Sequence, residues 1–266
     1  MIDCHTHIGR LARDKDDTLT IDEWLQRMDE WEIERGVLLP ICSPETSFFY
    51  HTNEQTFDLY RRYPDRIIPF CCLDPRCGGH SPTTDFLWLL EEYKEQGARG
   101  VGEITPNLYI DDPLVLNLFR QCGEAGLPVT FHLTDRIGGV YGVVDDKELP
   151  RLERVLQECP GTVFLGHAMS FWAEISADVS DETRGGYPKG PVIAPGRVQE
   201  LMSRYPNLYG DLSAGSGFNA ITRDVEYGIR FLEEFQDRLL FGTDLCHHNQ
   251  DAPIVAFFRQ LREERK

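Results

Sequence analysis

With 266 residues, 41% of them apolar and 11% aromatic, the chain has a globular composition, not that of a disordered segment. Its formal net charge of −17, from 44 acidic and 27 basic residues, argues against nucleic acid as a partner, since a duplex binder needs a Lys/Arg surface to displace counterions. No apolar stretch approaches the ~18 to 20 residues of a membrane helix, Met1-Ile2-Asp3-Cys4-His5 shows no secretory pattern, and the eight cysteines form no CxxC pair, so a cytoplasmic protein with reduced, mostly buried thiols is expected.

Eight short apolar runs, rich in β-branched or aromatic residues, punctuate the chain at 2–5, 37–41, 67–73, 100–104, 129–133, 163–166, 208–212 and 239–241. Each suits a strand buried on both faces. Helical stripes lie between them. Ile21, Trp24, Leu25, Met28 and Trp31 form the first, opened by a Thr20/Glu23 capping box. Phe57, Leu59 and Tyr60 form a second, ended by Pro64, and Phe86, Leu89, Leu90 and Tyr93 a third. Leu114, Leu118 and Cys122 follow an Asp112-Pro113 entry. Leu152, Val155 and Leu156 come next, then Val198, Leu201 and Met202, then Ile229, Leu232 and Phe235, and Ile254, Phe257, Phe258 and Leu261 close the chain.

Eight strand–helix units with right-handed crossovers predict an α/β fold: a closed (β/α)8 TIM barrel, one domain over 1–266. An open doubly wound sheet is disfavoured, because no Gly-rich dinucleotide loop follows the first strand. Gly215-Ser216-Gly217, after the seventh run, is expected to be a flexible turn. Two long connections, 134–147 and 168–195, follow the C-terminal ends of strands five and six, where barrel active sites are built. The aromatic residues of 168–195 are expected to be exposed, as a lid or as a subunit contact in a homo-oligomer. The charge clusters at 14–17 and 262–266 are mixed in sign and read as solvated surface.

Ionisable groups gather at the predicted strand ends. His5 and His7 end strand one, and their spacing of two places both imidazoles on one face. Glu103 ends strand four, His132 strand five, His167 strand six and Asp244 strand eight. A lone histidine at a strand end is more often a satisfied core residue, and an aspartate after Gly-Thr is often a helix cap. Six such groups at one end of one barrel point instead to a metal site. Imidazole with carboxylate suits zinc, manganese, iron or nickel rather than calcium, and six donors can hold two ions. Zinc, one or two ions per chain, is the expectation. Asp211 could hydrogen-bond a ligand histidine, His247 and His248 could line the rim, and Cys4 is expected to face the opposite way from His5.

As an ordered set, His5-Thr6-His7, Glu103, His132, His167 and Gly242-Thr243-Asp244 resemble the motifs of the amidohydrolase superfamily of metal-dependent barrel enzymes, from Asp3 to Asp244. The chain is most similar to the branch that includes predicted metal-dependent hydrolases and the aminocarboxymuconate-semialdehyde decarboxylase type. That branch implies one ion on His5, His7, His132 and Asp244, with His167 activating water. Glu103 resembles instead the TatD-type deoxyribonucleases, in which a strand-four glutamate bridges two ions and the strand-six histidine is a ligand. No lysine stands on strand four, unlike the phosphotriesterase-like relatives.

The resemblance implies a metal-dependent hydrolase of a small organic ester, amide or lactone, with Asp244 as proton carrier and His167 as ligand or acid/base. The alternative is a lyase that decarboxylates an aromatic or muconate-like acid, with Arg10, Arg136, Arg184 or Arg223 to grip it. A TatD-like nuclease is a lesser alternative.

Overall fold

The computed structural model describes residues 1–11 and 15–264; Asp14 and residues 265–266, at the ends of the two charge clusters, lie outside the described residues. Among those described, nine strands run Ile2–Thr6 (β1), Arg35–Leu38 (β2), Ile67–Pro69 (β3), Val101–Ile104 (β4), Val129–Thr134 (β5), Val143–Val144 (β6), Phe164–His167 (β7), Leu208–Asp211 (β8) and Leu239–Leu240 (β9). Parallel ladders join β1 to β2 to β3, and β4 to β5 to β7 to β8 to β9, while β6 hangs on β5. The two sheets meet at both edges. Cys71 bridges Val101, with the Gly102 amide donating to the Cys71 carbonyl. Thr6 bridges Leu245, and the amides of Cys4, His7 and Asp244 donate to the carbonyls of Phe241, Leu245 and His5. The ring is therefore closed, and the architecture is the expected TIM barrel.

Local chemistry explains the elements. All six residues of β5 are buried, as a strand between barrel interior and helix layer requires. Pro40 and Pro69 have no N–H to donate, and β2 and β3 stop at or short of them. The helix Ile21–Glu30 carries the Thr20/Glu23 capping box and buries Trp24 and Met28. Asp112 caps the helix Pro113–Ala125 through the Leu114 amide. Phe131 lies between the rings of Phe164 and Phe171, with centroids at 6.4 and 6.1 Å, and so packs barrel strands onto the helix after β7.

Three expectations need correction. Gly215-Ser216-Gly217 is not a flexible turn but part of the helix Ala214–Thr222. A Cβ on Gly217 would stand 2.2 Å from the Leu212 carbonyl oxygen, so glycine lets this helix start directly against the end of β8. The connection 168–195 is not a bare loop with exposed aromatics: it opens with the helix Met169–Ala173, and Trp172 is buried with its indole N–H on the Asp211 carbonyl at 2.7 Å. Tyr187 of that segment is exposed. The connection 134–147 contains β6. No helix among the described residues is long and apolar enough to cross a membrane.

Candidate metal centre

The six strand-end groups come together at one end of the barrel. His5 and His7 leave β1 on the same face, with their Nε2 atoms 3.0 Å apart. Glu103 sits between two histidine pairs. Its Oε2 lies 3.5 Å from His7 Nε2 and 3.9 Å from His5 Nε2. Its Oε1 lies 2.8 Å from His132 Nδ1 and 3.7 Å from His167 Nε2. Asp244 closes the ring, with Oδ1 3.6 Å from both His5 and His7. Among the described residues, three overlapping groups could hold an ion: His5, His7 and Glu103; His5, His167 and Asp244; and Glu103, His132 and His167. These groups contain all six predicted residues and no other.

The backbone sets two of these groups in place. Gly102, at φ 148°, has no room for a Cβ, which would stand 2.7 Å from the Thr130 carbonyl oxygen, so β4 presses against β5 just before Glu103. Asp244 is in the left-handed region at φ 55°, and its amide donates to the His5 carbonyl. Asp3 fixes this corner: it accepts from the His5 amide at 3.0 Å, the Thr243 amide at 3.0 Å and the Thr243 hydroxyl at 2.6 Å.

Hydrogen bonds behind the rings orient the donors. His5 Nδ1 is 2.6 Å from Asp211 Oδ2, and His167 Nδ1 is 3.0 Å from Ser213 Oγ. His7 Nδ1 is 3.0 Å from the Leu39 carbonyl. A carbonyl only accepts, so His7 carries its proton on Nδ1 and turns a bare Nε2 inward. His5 is disposed alike, with Asp211 on its Nδ1. Two bare ring nitrogens 3.0 Å apart repel unless a cation or a proton lies between them. Without a metal the proton goes to His5: burial opposes its charge, but Asp211, Asp244 and Glu103 outweigh burial and raise it to about 10. Burial, then the charge on His5, lowers His7 to about 4. The nitrogen and oxygen donors, their convergence and their need for positive charge fit a divalent cation.

The carboxyl groups differ. Burial opposes ionisation of Glu103, but His132, then His5 and His167, hold it well below the usual carboxylate range. Asp211 is held low in the same way by His5. Burial, with Glu103, Asp211 and Asp3 nearby, raises Asp244 to about 7 against the pull of His5. The Asp244 side chain is 23% exposed, against 5% for Glu103 and 2% for His167. Asp244 is thus the carboxyl on the open side of the ring.

Around this ring, some expected residues have other work. Cys4 does not face away from the site; its thiol donates to Asp211 Oδ1 at 3.2 Å. His247 and His248 pair with Asp17 and Glu23 at 3.0 and 2.7 Å and join none of the three groups. Arg184 is buried and donates to the carbonyls of Asp145 and Asp146. Arg136 pairs with Asp135, Arg223 lies near Asp178 and Asp224, and Arg10 stands 4.0 Å over the Phe49 ring. Tyr141 places its ring 4.5 Å from that of His132. Asp3 and Ser213 were missed by sequence reasoning. The threonine before Asp244 was the available sign of Asp3, and Ser213 gave none.

The family model described as Amidohydrolase matches residues 2–264. No curated protein matches the sequence. Among solved structures, an uncharacterized TIM-barrel protein from Bordetella bronchiseptica is similar over 98% of this chain and 91% of its own, with a TM-score of 0.63 and 16% identity. The 5-carboxyvanillate decarboxylase of Sphingomonas paucimobilis matches over 97% and 92%, with a TM-score of 0.61 and 15% identity. A dihydroxybenzoic acid decarboxylase from Polaromonas sp. JS666, with bound manganese and the inhibitor 2-nitroresorcinol, matches over 97% and 90%, with a TM-score of 0.57 and 17% identity. At these identities the likeness is one of fold.

Proposed function

This chain belongs to the amidohydrolase family, and from that premise we propose that it is a metal-dependent decarboxylase of an aromatic or muconate-like acid. The observation that carries the reading is the ring of six donors, five of them buried, with Asp244 on its open side. The substrate class rests on the aromatic-acid decarboxylases that share the fold.

In this reading His5, His7, Glu103 and Asp244 would hold one divalent ion, and Glu103, His132 and His167 a second. Zinc and manganese both suit such donors, and the Polaromonas decarboxylase contains manganese. When bound, the ion supplies a Lewis acid that fixes substrate oxygens and stabilises developing negative charge. Asp244 hands its proton to the carbon that bears the substrate carboxylate. The bond to that carboxylate then breaks, carbon dioxide leaves, and the electron pair returns to the conjugated system. A carboxyl on the open side of the ring is placed to carry a proton to a bound substrate. Tyr141, packed on His132, offers an aromatic face to such a substrate.

The same two sites carry a second reading. The two oxygens of Glu103 face different histidine pairs, an arrangement suited to two-ion hydrolysis. There Asp244 would take the proton from water attacking an ester, amide or lactone.

The experiment is turnover of ortho-hydroxylated benzoates and muconate-like acids by the metal-loaded protein in heavy water. The proposal expects release of carbon dioxide and one deuteron on the carbon that lost it. Uptake of labelled solvent oxygen without carbon dioxide would sink it in favour of hydrolysis. Compared at equal metal occupancy, Asp244→Asn should lose at least about a hundredfold in turnover.

A further inference from the structure

The parallel register of β2 on β3 pairs Gly36 with Ile67, Val37 with Ile68 and Leu38 with Pro69. Continued past the strand ends, it would set Cys42 opposite Leu73, and the Cys42 side chain meets that of the adjacent residue, Cys72. Their sulfurs are 2.7 Å apart, closer than two non-bonded sulfurs ordinarily stand. Both chains are held there. Asn53 grips Cys72 from both sides, accepting from its amide at 2.7 Å and donating to its carbonyl at 3.0 Å. Next to Cys42, Ile41 bridges His51, with an amide-to-carbonyl bond of 3.0 Å. Cys72 is buried and Cys42 half-buried, so a small oxidant arriving from solvent meets Cys42 first.

We propose that Cys42 and Cys72 form a redox modification site: a thiol pair that closes to a disulfide when hydrogen peroxide reaches Cys42. Cys42 sulfur attacks the peroxide, the O–O bond breaks, water leaves, and Cys42 becomes a sulfenic acid. Cys72 sulfur then attacks Cys42 sulfur. The S–S bond forms, the S–O bond breaks, and the hydroxyl departs as a second water with the proton from Cys72. The two sulfurs together lose two electrons, which the peroxide takes up. The Cys72 thiol also stands 3.3 Å from the Glu103 carbonyl, so the new bond would lie against the strand that carries the central carboxylate. It would tie the segment after β2 to the segment after β3.

The test is treatment of the full-length, metal-loaded protein with stoichiometric hydrogen peroxide, followed by intact-mass measurement and peptide mapping without reduction. The expected result is loss of two hydrogens from the intact mass and a linked peptide pair containing Cys42 and Cys72, both reversed by dithiothreitol. Cys42→Ser, at a half-buried position, abolishes the link, and Cys77→Ser, at an exposed one, leaves it intact. Oxygen adducts on Cys42 with Cys72 still open to alkylation overturn the proposal. So does a link from Cys42 to any other cysteine. Cys72→Ser serves as a second check, and the Cys42→Ser result stands on its own if that buried substitution fails to fold.

Discussion

Asp211 Oδ2 lies 2.6 Å from His5 Nδ1, and both side chains are fully buried. The aspartate also receives the Cys4 thiol and the Ser213 amide, so its orientation is fixed before any ligand arrives. It is the strongest support behind the ring of donors. Asp211→Asn should keep the fold and weaken divalent-metal binding by about 10- to 100-fold. Metal titration of chelator-stripped protein reads this directly. Unchanged affinity would mean that His5 is oriented without it.

Glu103 reaches both histidine pairs, so its neutral analogue should cost metal. The expected stoichiometry by elemental analysis is two ions per chain for the wild-type protein and one or none for Glu103→Gln. Protein purified without chelator or metal-binding tag is needed. Equal metal in both proteins would remove Glu103 from the ligand set and leave it as the hydrogen-bond partner of His132 alone.

Arg184 was a plausible clamp for an acidic substrate, but the structure gives it a different role. It donates to the carbonyls of Asp145 and Asp146 at 2.8 and 3.1 Å, and its Nε is 3.6 Å from the buried carboxylate of Glu174. Arg184→Leu leaves that carboxylate without its cation and should destabilise the protein by about 3 kcal/mol. A urea unfolding curve measures the loss, and metal content should not change. Intact stability together with lost substrate binding would return Arg184 to the role of clamp.

His51, which is not one of the six donors, gives a further pH dependence. It is buried against the Thr56 hydroxyl at 2.9 Å, and burial lowers its pKa to about 4. Between the unfolded value of about 6.5 and about 4, the unfolded chain takes up a proton that the folded chain refuses. Stability is therefore complete above the unfolded value and is lost as pH falls, by about 3 kcal/mol over the whole window. Metal-loaded His51→Gln should lose this contribution. Urea midpoints at the two ends of the window should then differ less in the variant than in the wild-type protein. An equal difference in both would show that His51 does not titrate there.

The barrel was legible because its eight strand segments are short, apolar and separated by amphipathic helices. The histidines and Glu103 stood out because an ionisable group in such a run has to find a partner. What was not legible depends on contacts between distant segments. Nothing around Ser213 announces that it will support His167, which is 46 residues earlier in the chain. Trp172 sat in what read as a loop, and only the fold brings the Asp211 carbonyl to its indole. Gly215-Ser216-Gly217 was misread because glycines weaken a helix locally, while close contact of this helix with Leu212 requires one of them. Arg184 looked like any loop arginine, since its partners are backbone carbonyls that no side-chain pattern reveals.

The seam between β1 and β9 has a consequence for biosynthesis. His5 and His7 leave the ribosome long before Asp244, and the two segments meet through the bonds from His7 to Leu245 and from Asp244 to His5. A nascent chain stalled before residue 239 has every histidine of the ring but neither the closing strand nor the carboxyl that completes it. The full cage of donors is a property of the finished barrel. Ion capture would therefore serve as a natural stopwatch for the last step of folding.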